Sequence, residues 1–481
     1  MAKTRTVVRW TIVAAAILVS AILLIWFYFV RPSGRYDFAE LFPPSAAVSA
    51  FPKEFGQRLH TVRQKLDSRP TAEQALADLA KLDLANGFTK QAESALRLLL
   101  QRETSNPRWS HYLAGLLANQ GRTEEAIRYW TEVVSLNPEY TPAQLKLADA
   151  LKKTNQRDAA IQIYLKLLQR EPNNAAALVG LAVMDVDSGD WSSTRERTIK
   201  AINADNTFWA AFNLLVTIAD HFGESELRDR AKAREKELGR YREPPDPWQD
   251  ELVDLCFDPP RLRVLASTAG LTGQTKDALR LAERADQLSP NDPDTLRLLG
   301  EVYLALHDLK SAEKALRSSI SLDPKVPKSY LLLENVFRET QDIKAARELL
   351  QQALKFCGDD ASLNYEYALV LIAQGDIKAS IGYLEVALGL TKDNPDIFQK
   401  LSIAYSRLGQ NRRALEIAEE GLRLMPRDPP LVVLRGRYAV ESGDALEARE
   451  YFRRAKNLHA SNEDLDAFAN LFRSRFGFYP Q

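Results

Sequence analysis

Five histidines and two cysteines are the residues of this chain with the widest chemical repertoire. His60, His111, His221, His307 and His459 are scattered, and none pairs at the HExxH spacing that sets two rings on one helix face for a metal. Cys256 and Cys357 lack the CxxC spacing of a zinc knuckle or a redox pair. No P-loop occurs, and no GxGxxG follows a strand pattern. Metal-assisted hydrolysis, phosphoryl transfer and dinucleotide chemistry therefore find no residues to carry them. The chain is predicted not to be an enzyme and to need no cofactor. Lys plus Arg number 64 and Asp plus Glu also 64, so no overall field would gather nucleic acid. The richest local run, Arg407, Arg412, Arg413, Arg423, Arg427, Arg435 and Arg437, is interleaved with Glu416, Glu419 and Glu420, which reads as a solvated surface.

What positions these residues is a repeat. Gly87, Gly121, Asn155, Gly189 and Gly223 stand 34 residues apart, and so, after one longer step, do Gly273, His307, Gln341, Gly375, Gly409 and Gly443. Each separates two apolar helical runs, as a left-handed residue between antiparallel helices does. Glycine, asparagine and histidine tolerate that conformation best. A second comb through Pro70, Pro138, Pro172, Pro290, Pro324 and Pro426 runs 17 residues out of phase, where proline separates one helix pair from the next. Two interleaved combs of one period predict an all-α solenoid of helix-turn-helix units and point away from a single catalytic pocket.

The apolar residues keep the same phase. Residues 107–140 place Leu113, Ala114 and Leu117 on the first helix and Ala126, Trp130 and Val133 on the second; residues 141–174 answer with Leu147, Ala148, Leu151, Ala160, Tyr164 and Leu167. Residues 293–326 give Leu299, Gly300, Tyr303, Ala312 and Leu316, and residues 395–428 give Leu401, Tyr405, Ala414 and Ala418. Small residues fall where helices cross closely and large ones fill the gaps. This pattern, over about four-fifths of the chain, resembles the tetratricopeptide repeat (TPR). The resemblance implies a right-handed superhelix with a concave groove that binds a peptide or helix of another protein. It also implies that the second, fifth, ninth and twelfth residues of each first helix line that groove. In residues 259–462 those positions include Asp294, Arg297, Glu301, Lys328, Asn335, Arg338, Tyr365, Asp396, Gln399 and Arg437. The carboxylate clamp of chaperone-binding members is not reproduced, because Leu332 and Tyr365 stand where it needs polar donors.

The rhythm breaks in two ways. Residues 175–208 put Asp185, Thr194 and Thr198 at apolar or small positions, and the second helix of residues 209–242 is a charged run, so these units are expected to be the loosest. Between Gly223 and Gly273 the step is 50 residues, an insert of 16 at 243–258. Pro244, Pro245 and Pro247 predict an extended, polyproline-like path there. Trp248, Leu252, Leu255 and Phe257 make the insert too apolar for a loose linker, so it is expected to pack on a neighbouring repeat, either plugging the joint between the arrays or offering a partner site. The predicted order is a first array of five units at 73–242, the insert, and a second array of six at 259–462. Capping helices are expected at 51–67, within a juxtamembrane segment 31–72, and at 463–472, within a tail 463–481. Leu465, Phe468, Leu471 and Phe472 of the last should face inward. Cys256 and Cys357, about three repeats apart, read as small core residues beyond disulfide reach.

Residues 10–30 carry no charge and are long enough to cross a hydrocarbon core of roughly 30 Å, so they are predicted to be a transmembrane helix. A cleaved signal peptide fits less well, since the apolar run is long and ends at Trp26 to Val30 without a small-x-small site. Lys3, Arg5 and Arg9 lie in the basic segment 1–9 with no acid among them, whereas Arg31 and Arg35 are met by Asp37 and Glu40. That bias places the N-terminus in the cytoplasm and the repeats outside, in the periplasm of a bacterial-type inner membrane. The expected function is a membrane-anchored scaffold or assembly factor that holds a partner's segment in the groove. The alternative is a structural accessory subunit of a cell-envelope enzyme or transport complex.

Overall fold

The computed structural model describes residues 38–68, 71–240 and 243–480. Among the described residues every regular element is a helix. A helix of 13 or 14 residues, such as Pro107–Asn119, is followed by a three-residue turn and a 14-residue partner, here Thr123–Leu136. All eleven turn residues of the first comb adopt the left-handed conformation, with φ from 57° at His307 to 85° at Gly443. The turn closes with a bond that passes over it: the Arg122 N–H reaches Leu117 O at 2.9 Å, and Gln156, Asp308 and Asp376 repeat it. In several units an aspartate follows the turn residue and caps the next helix. Asp190, Asp308, Asp342, Asp376 and Asp444 each accept the backbone N–H three residues on, at 2.9–3.2 Å. Each such cap is worth about 1 kcal/mol. The hydrogen bonds from Ser193 and Ser311 hold the Asp190 and Asp308 carboxyls below the usual carboxylate range.

The phased apolar residues form the core. Leu113, Ala114, Leu117, Ala126 and Val133 are fully buried, as are Leu401, Ala414 and Ala418. At Gly300 a Cβ would stand 2.4 Å from the Leu316 side chain, so the two helices of that unit meet at a distance only glycine permits.

The chain forms two compact units. Among the described residues, the first comprises those of 38–231 with 243–257, and the second those of 232–240 with 258–480. In the first unit the helix Lys53–Leu66 covers the end of the stack with buried Phe55, Leu59, Val62 and Leu66. In the second, Asn462–Phe476 does the same with Phe468 and Phe472 fully buried and Leu465 and Leu471 packed beside them. Where the repeat pattern lapses, polar side chains are buried but answered locally: Thr194 and Thr198 hydrogen-bond to Asp190 O and Thr194 O at 2.8 and 2.7 Å, and Arg197 holds Asp185. The charged helix Ser225–Leu238 buries Ala231 alone. Cys256 and Cys357 are buried thiols.

One sequence expectation fails. The insert is not extended throughout, because Pro247–Val253 is a helix with Asp246 as its N-cap and Pro247 in its first turn. A proline there lacks only an N–H that has no helical partner anyway, so it starts a helix instead of forbidding one. Among the described residues no helix is long and apolar enough to cross a membrane. The expected span at residues 10–30 and the basic segment 1–9 lie outside the described residues.

Candidate functional site

Residues 243–257 lie across the first helices of the first unit and run against the repeat order. Glu243 pairs with Lys146 of the helix Thr141–Lys153. Asp246, buried, meets His111 Nε2 at 2.8 Å and accepts the Tyr140 hydroxyl. Burial opposes charge on this carboxyl, but the bonds from His111 and Tyr140 and the Gln249 N–H outweigh it and hold it below the usual carboxylate range. Burial, with the bond to Asp246, raises the Tyr140 phenol. Tyr140 also accepts the Trp248 N–H at 3.2 Å, and the two rings stack with centroids 3.6 Å apart. His111 meets the Trp248 ring edge-on at 5.5 Å, and the Arg108 guanidinium lies 5.6 Å from that ring's centroid.

Farther along, Glu251 is drawn in by Arg108 at 3.5 Å, Lys81 at 3.9 Å and the Tyr112 hydroxyl. Tyr112 also bonds Trp248 O at 2.7 Å. Burial, then the bond to Glu251, raises the Tyr112 phenol. Leu252 joins the core of the unit, with Trp248, Leu255 and Phe257 packed against it. The buried amide of Asn86 then holds the backbone of the segment from both sides, donating to Leu255 O at 2.9 Å and accepting the Phe257 N–H at 2.6 Å. Lys81, Arg108, His111 and Gly115 occupy ninth, second, fifth and ninth positions of their first helices. At Gly115 the missing side chain lets the Gln249 amide approach to 3.3 Å from where a Cβ would be. The surface is a basic and aromatic groove holding an acidic and aromatic segment.

In the second unit the sequence-predicted residues lie along the corresponding positions but pair largely with one another. Lys328 reaches Glu301 at 2.8 Å and Arg297 reaches Asp294 at 3.1 Å. Arg338 is shared by Asn335, by buried Glu334 at 3.3 Å and by Glu366 at 3.8 Å. Burial raises both carboxyls, with Arg338 pulling the other way. Burial, and then the charges of Asp396 and Glu366, push the Tyr365 phenol up to about 12. Tyr365 and Gln399 are half-buried and Arg437 is exposed. Among the described residues no group of His, Cys, Asp and Glu could hold a metal ion. Of the insert residues singled out in sequence, Trp248 is an anchor and Pro247 starts the helix, while Pro244 and Pro245 lie in the non-helical stretch before it. His111, Tyr112, Tyr140 and Asn86 belong to the site although no motif in the sequence marks them.

Sequence models described as the tetratricopeptide repeat match residues 77–139, 117–181 and 264–459. None of these ranges covers 182–263, which holds all but the first seven residues of the two irregular units, and the insert. The chain is 30% identical over 174 residues to Cellulose synthase 1 operon protein C of Komagataeibacter xylinus, a match covering 32% of this chain and 13% of that protein. It is 28% identical over 126 residues to Protein O-mannosyl-transferase TMTC3 of Homo sapiens, covering 25% of this chain and 14% of that one. The matches thus span about an eighth of the length of these curated relatives. Among solved structures, YrrB, described as a TPR protein with an unusual peptide-binding site, aligns at 16% identity and a TM-score of 0.34, covering 39% of this chain and 96% of that one.

Proposed function

Because the chain is built of tetratricopeptide repeats, a fold that binds other proteins, we propose that it is a membrane-tethered, non-enzymatic scaffold that holds an extended partner segment along the inner face of its second unit. The observation carrying this reading is the difference between the two inner faces. In the first unit the row of inner residues already grips a segment of the chain itself. In the second, charged, amide and aromatic side chains at the same repeat positions, Lys328, Tyr365, Gln399 and Arg437 among them, stay half-buried or exposed. Such a mixture suits an extended peptide or an amphipathic helix. The apolar, charge-free residues 10–30 supply the tether, which would confine the complex to the membrane and raise the local concentration of whatever is bound.

The test replaces Lys328, Tyr365 and Gln399 with alanine in the full chain and identifies partners by in-cell crosslinking. These three are preferable to Arg338, which neutralises a buried carboxylate and would confound binding with stability. The expected result is loss of the crosslinked partner while the chain remains folded, with any fall in melting temperature matched by a Tyr365→Ala single variant, since Tyr365 packs against the core; undiminished capture refutes the groove. The tether is read separately, by membrane fractionation of the full chain against residues 38–481.

A second reading has one observation in its favour, the likeness to a cellulose synthase operon protein. Here the protein is an accessory subunit of a cell-envelope complex and the second face packs on a fixed neighbour. Stoichiometric recovery with one membrane complex in detergent supports that reading, and variable clients support the scaffold.

A further inference from the structure

We propose that the inner face of the first unit is a peptide-recognition groove held shut by its own chain, and that its exchange partner is an acidic segment with an aromatic anchor, carrying the chemistry of residues 243–257. The proposal concerns the first unit alone.

The contacts are those a groove makes with a bound peptide. Asn86 reads backbone, accepting one N–H and donating to one C=O two residues apart, and so is indifferent to the side chains there. Side-chain selectivity comes from three places. Trp248 lies against Tyr140, with the edge of His111 and the Arg108 guanidinium close by. Asp246 is fixed by His111 and Tyr140. Leu252 enters the core. The charges are complementary, with Lys81, Arg108 and Lys146 on the groove facing Glu243 and Glu251 on the segment.

The balance of these contacts allows exchange. The Lys81, Arg108 and Lys146 ion pairs are partly exposed, with side chains 19–65% accessible. Pairs of that kind contribute at most about 1 kcal/mol each. The hold therefore rests on Trp248, Asp246, Leu252 and the Asn86 bonds, all of which a second segment of the same chemistry could reproduce. The cis segment has the advantage of connection, equivalent to an effective concentration on the order of millimolar for a short tether. A trans peptide at micromolar concentration would thus find the wild-type groove closed and the emptied groove open.

The experiment uses a labelled synthetic peptide of residues 243–258 and the full chain. The Asp246→Ala/Trp248→Ala double variant is expected to bind this peptide at least about tenfold more tightly than wild type, the competition removed being that of a tethered ligand. Adding Asn86→Ala or Arg108→Glu should abolish the gain, and a scrambled peptide of the same composition should not bind. The inference is overturned if the folded double variant binds no better than wild type, if Asn86→Ala and Arg108→Glu have no effect, or if the scrambled peptide binds equally. Should the double variant not fold, hydrogen exchange on wild type decides. Trp248 and Phe257 amides opening at least about a hundredfold more often than those of Pro107–Leu117 support release. Opening only with global unfolding of the unit makes the segment a permanent staple and ends the proposal. Replacing Lys328, Tyr365 and Gln399 leaves peptide binding unchanged, so this inference and the second-unit reading fail independently.

Discussion

Asp83 should be a standing burden on the first unit, and removing it should stabilise the protein. Its side chain is fully buried, and among the described residues neither carboxyl oxygen has a hydrogen-bond partner. It occupies the eleventh position of its unit, where six other repeats place Leu117, Leu151, Tyr303, Phe337, Leu371 and Tyr405, and where the other acid, Asp185, is paired by Arg197. Burial pushes its carboxyl up to about 9. An unfolded aspartate titrates near 3.9, so at pH 7 folding must bind a proton across roughly three pH units, a cost of about 4 kcal/mol. The sign follows from the raised value. Between about pH 4 and 9 the folded state holds the proton and the unfolded state does not, so stability falls as pH rises and levels off above the folded value. Asp83→Asn removes the proton cost but keeps a buried polar group, so its gain is bounded by that figure. Asp83→Leu also removes the unpaired polar group, worth a further ~1–3 kcal/mol. The assay is denaturant unfolding at pH 5, 7 and 8, with hydrogen exchange in Ala72–Ala85 and Pro107–Asn119 isolating the first unit. The gap between either variant and wild type should widen by about 1.4 kcal/mol per pH unit. A gap that stays constant with pH, or an Asp83→Leu chain no more stable than wild type, refutes the reasoning.

Trp248→Ala should lower the stability of the first unit by about 2–3 kcal/mol, less than for a fully buried indole, because Trp248 is half-buried against Tyr140. Denaturant midpoints read it out, with the second unit's transition unmoved. Asp246 contributes stability that is present above the unfolded carboxylate pKa and lost as pH falls through its lower folded value. Its hold on the segment should therefore be intact from pH 5 to 8 and weaken below about pH 4, followed as the fluorescence difference between wild type and Trp248→Phe. Gly300→Ala should cost the second unit about 1–3 kcal/mol through the Leu316 contact, whereas Gly382→Ala, with no neighbour near its added Cβ, should stabilise by up to about 1 kcal/mol; thermal denaturation distinguishes them.

The fold was legible because its determinants are local and periodic. A left-handed turn every 34 residues fixes where helices stop, and the phased apolar residues fix which faces meet. Each is visible within one unit, and recurrence corrects for single lapses such as Thr194. The helix Pro247–Val253 is hidden because three prolines in five residues look like breakers, whereas Asp246 before Pro247 is an N-cap signal. The groove was less legible for a different reason. Its contacts join residues about 100 to 170 positions apart, such as Asn86 with Phe257 and Tyr140 with Trp248, and no local pattern encodes which face a non-repeating segment will choose.

Even so, the register held a clue. Applying the second, fifth and ninth positions to the first two units yields Gln74, Ala77, Lys81, Arg108, His111 and Gly115, three of which are basic or titratable. The segment that interrupts the repeat carries Glu243, Asp246 and Glu251 beside a tryptophan. The charges of these groove residues and of the stretch that interrupts the repeat are complementary, with Lys81 and Arg108 meeting Glu251 and His111 meeting Asp246. This match explains why the insert is acidic and aromatic instead of merely flexible. A flexible hinge needs neither the buried Asp246 nor the double bond to Asn86; these contacts hold the segment in the groove, and its rate of opening separates a ligand from a staple.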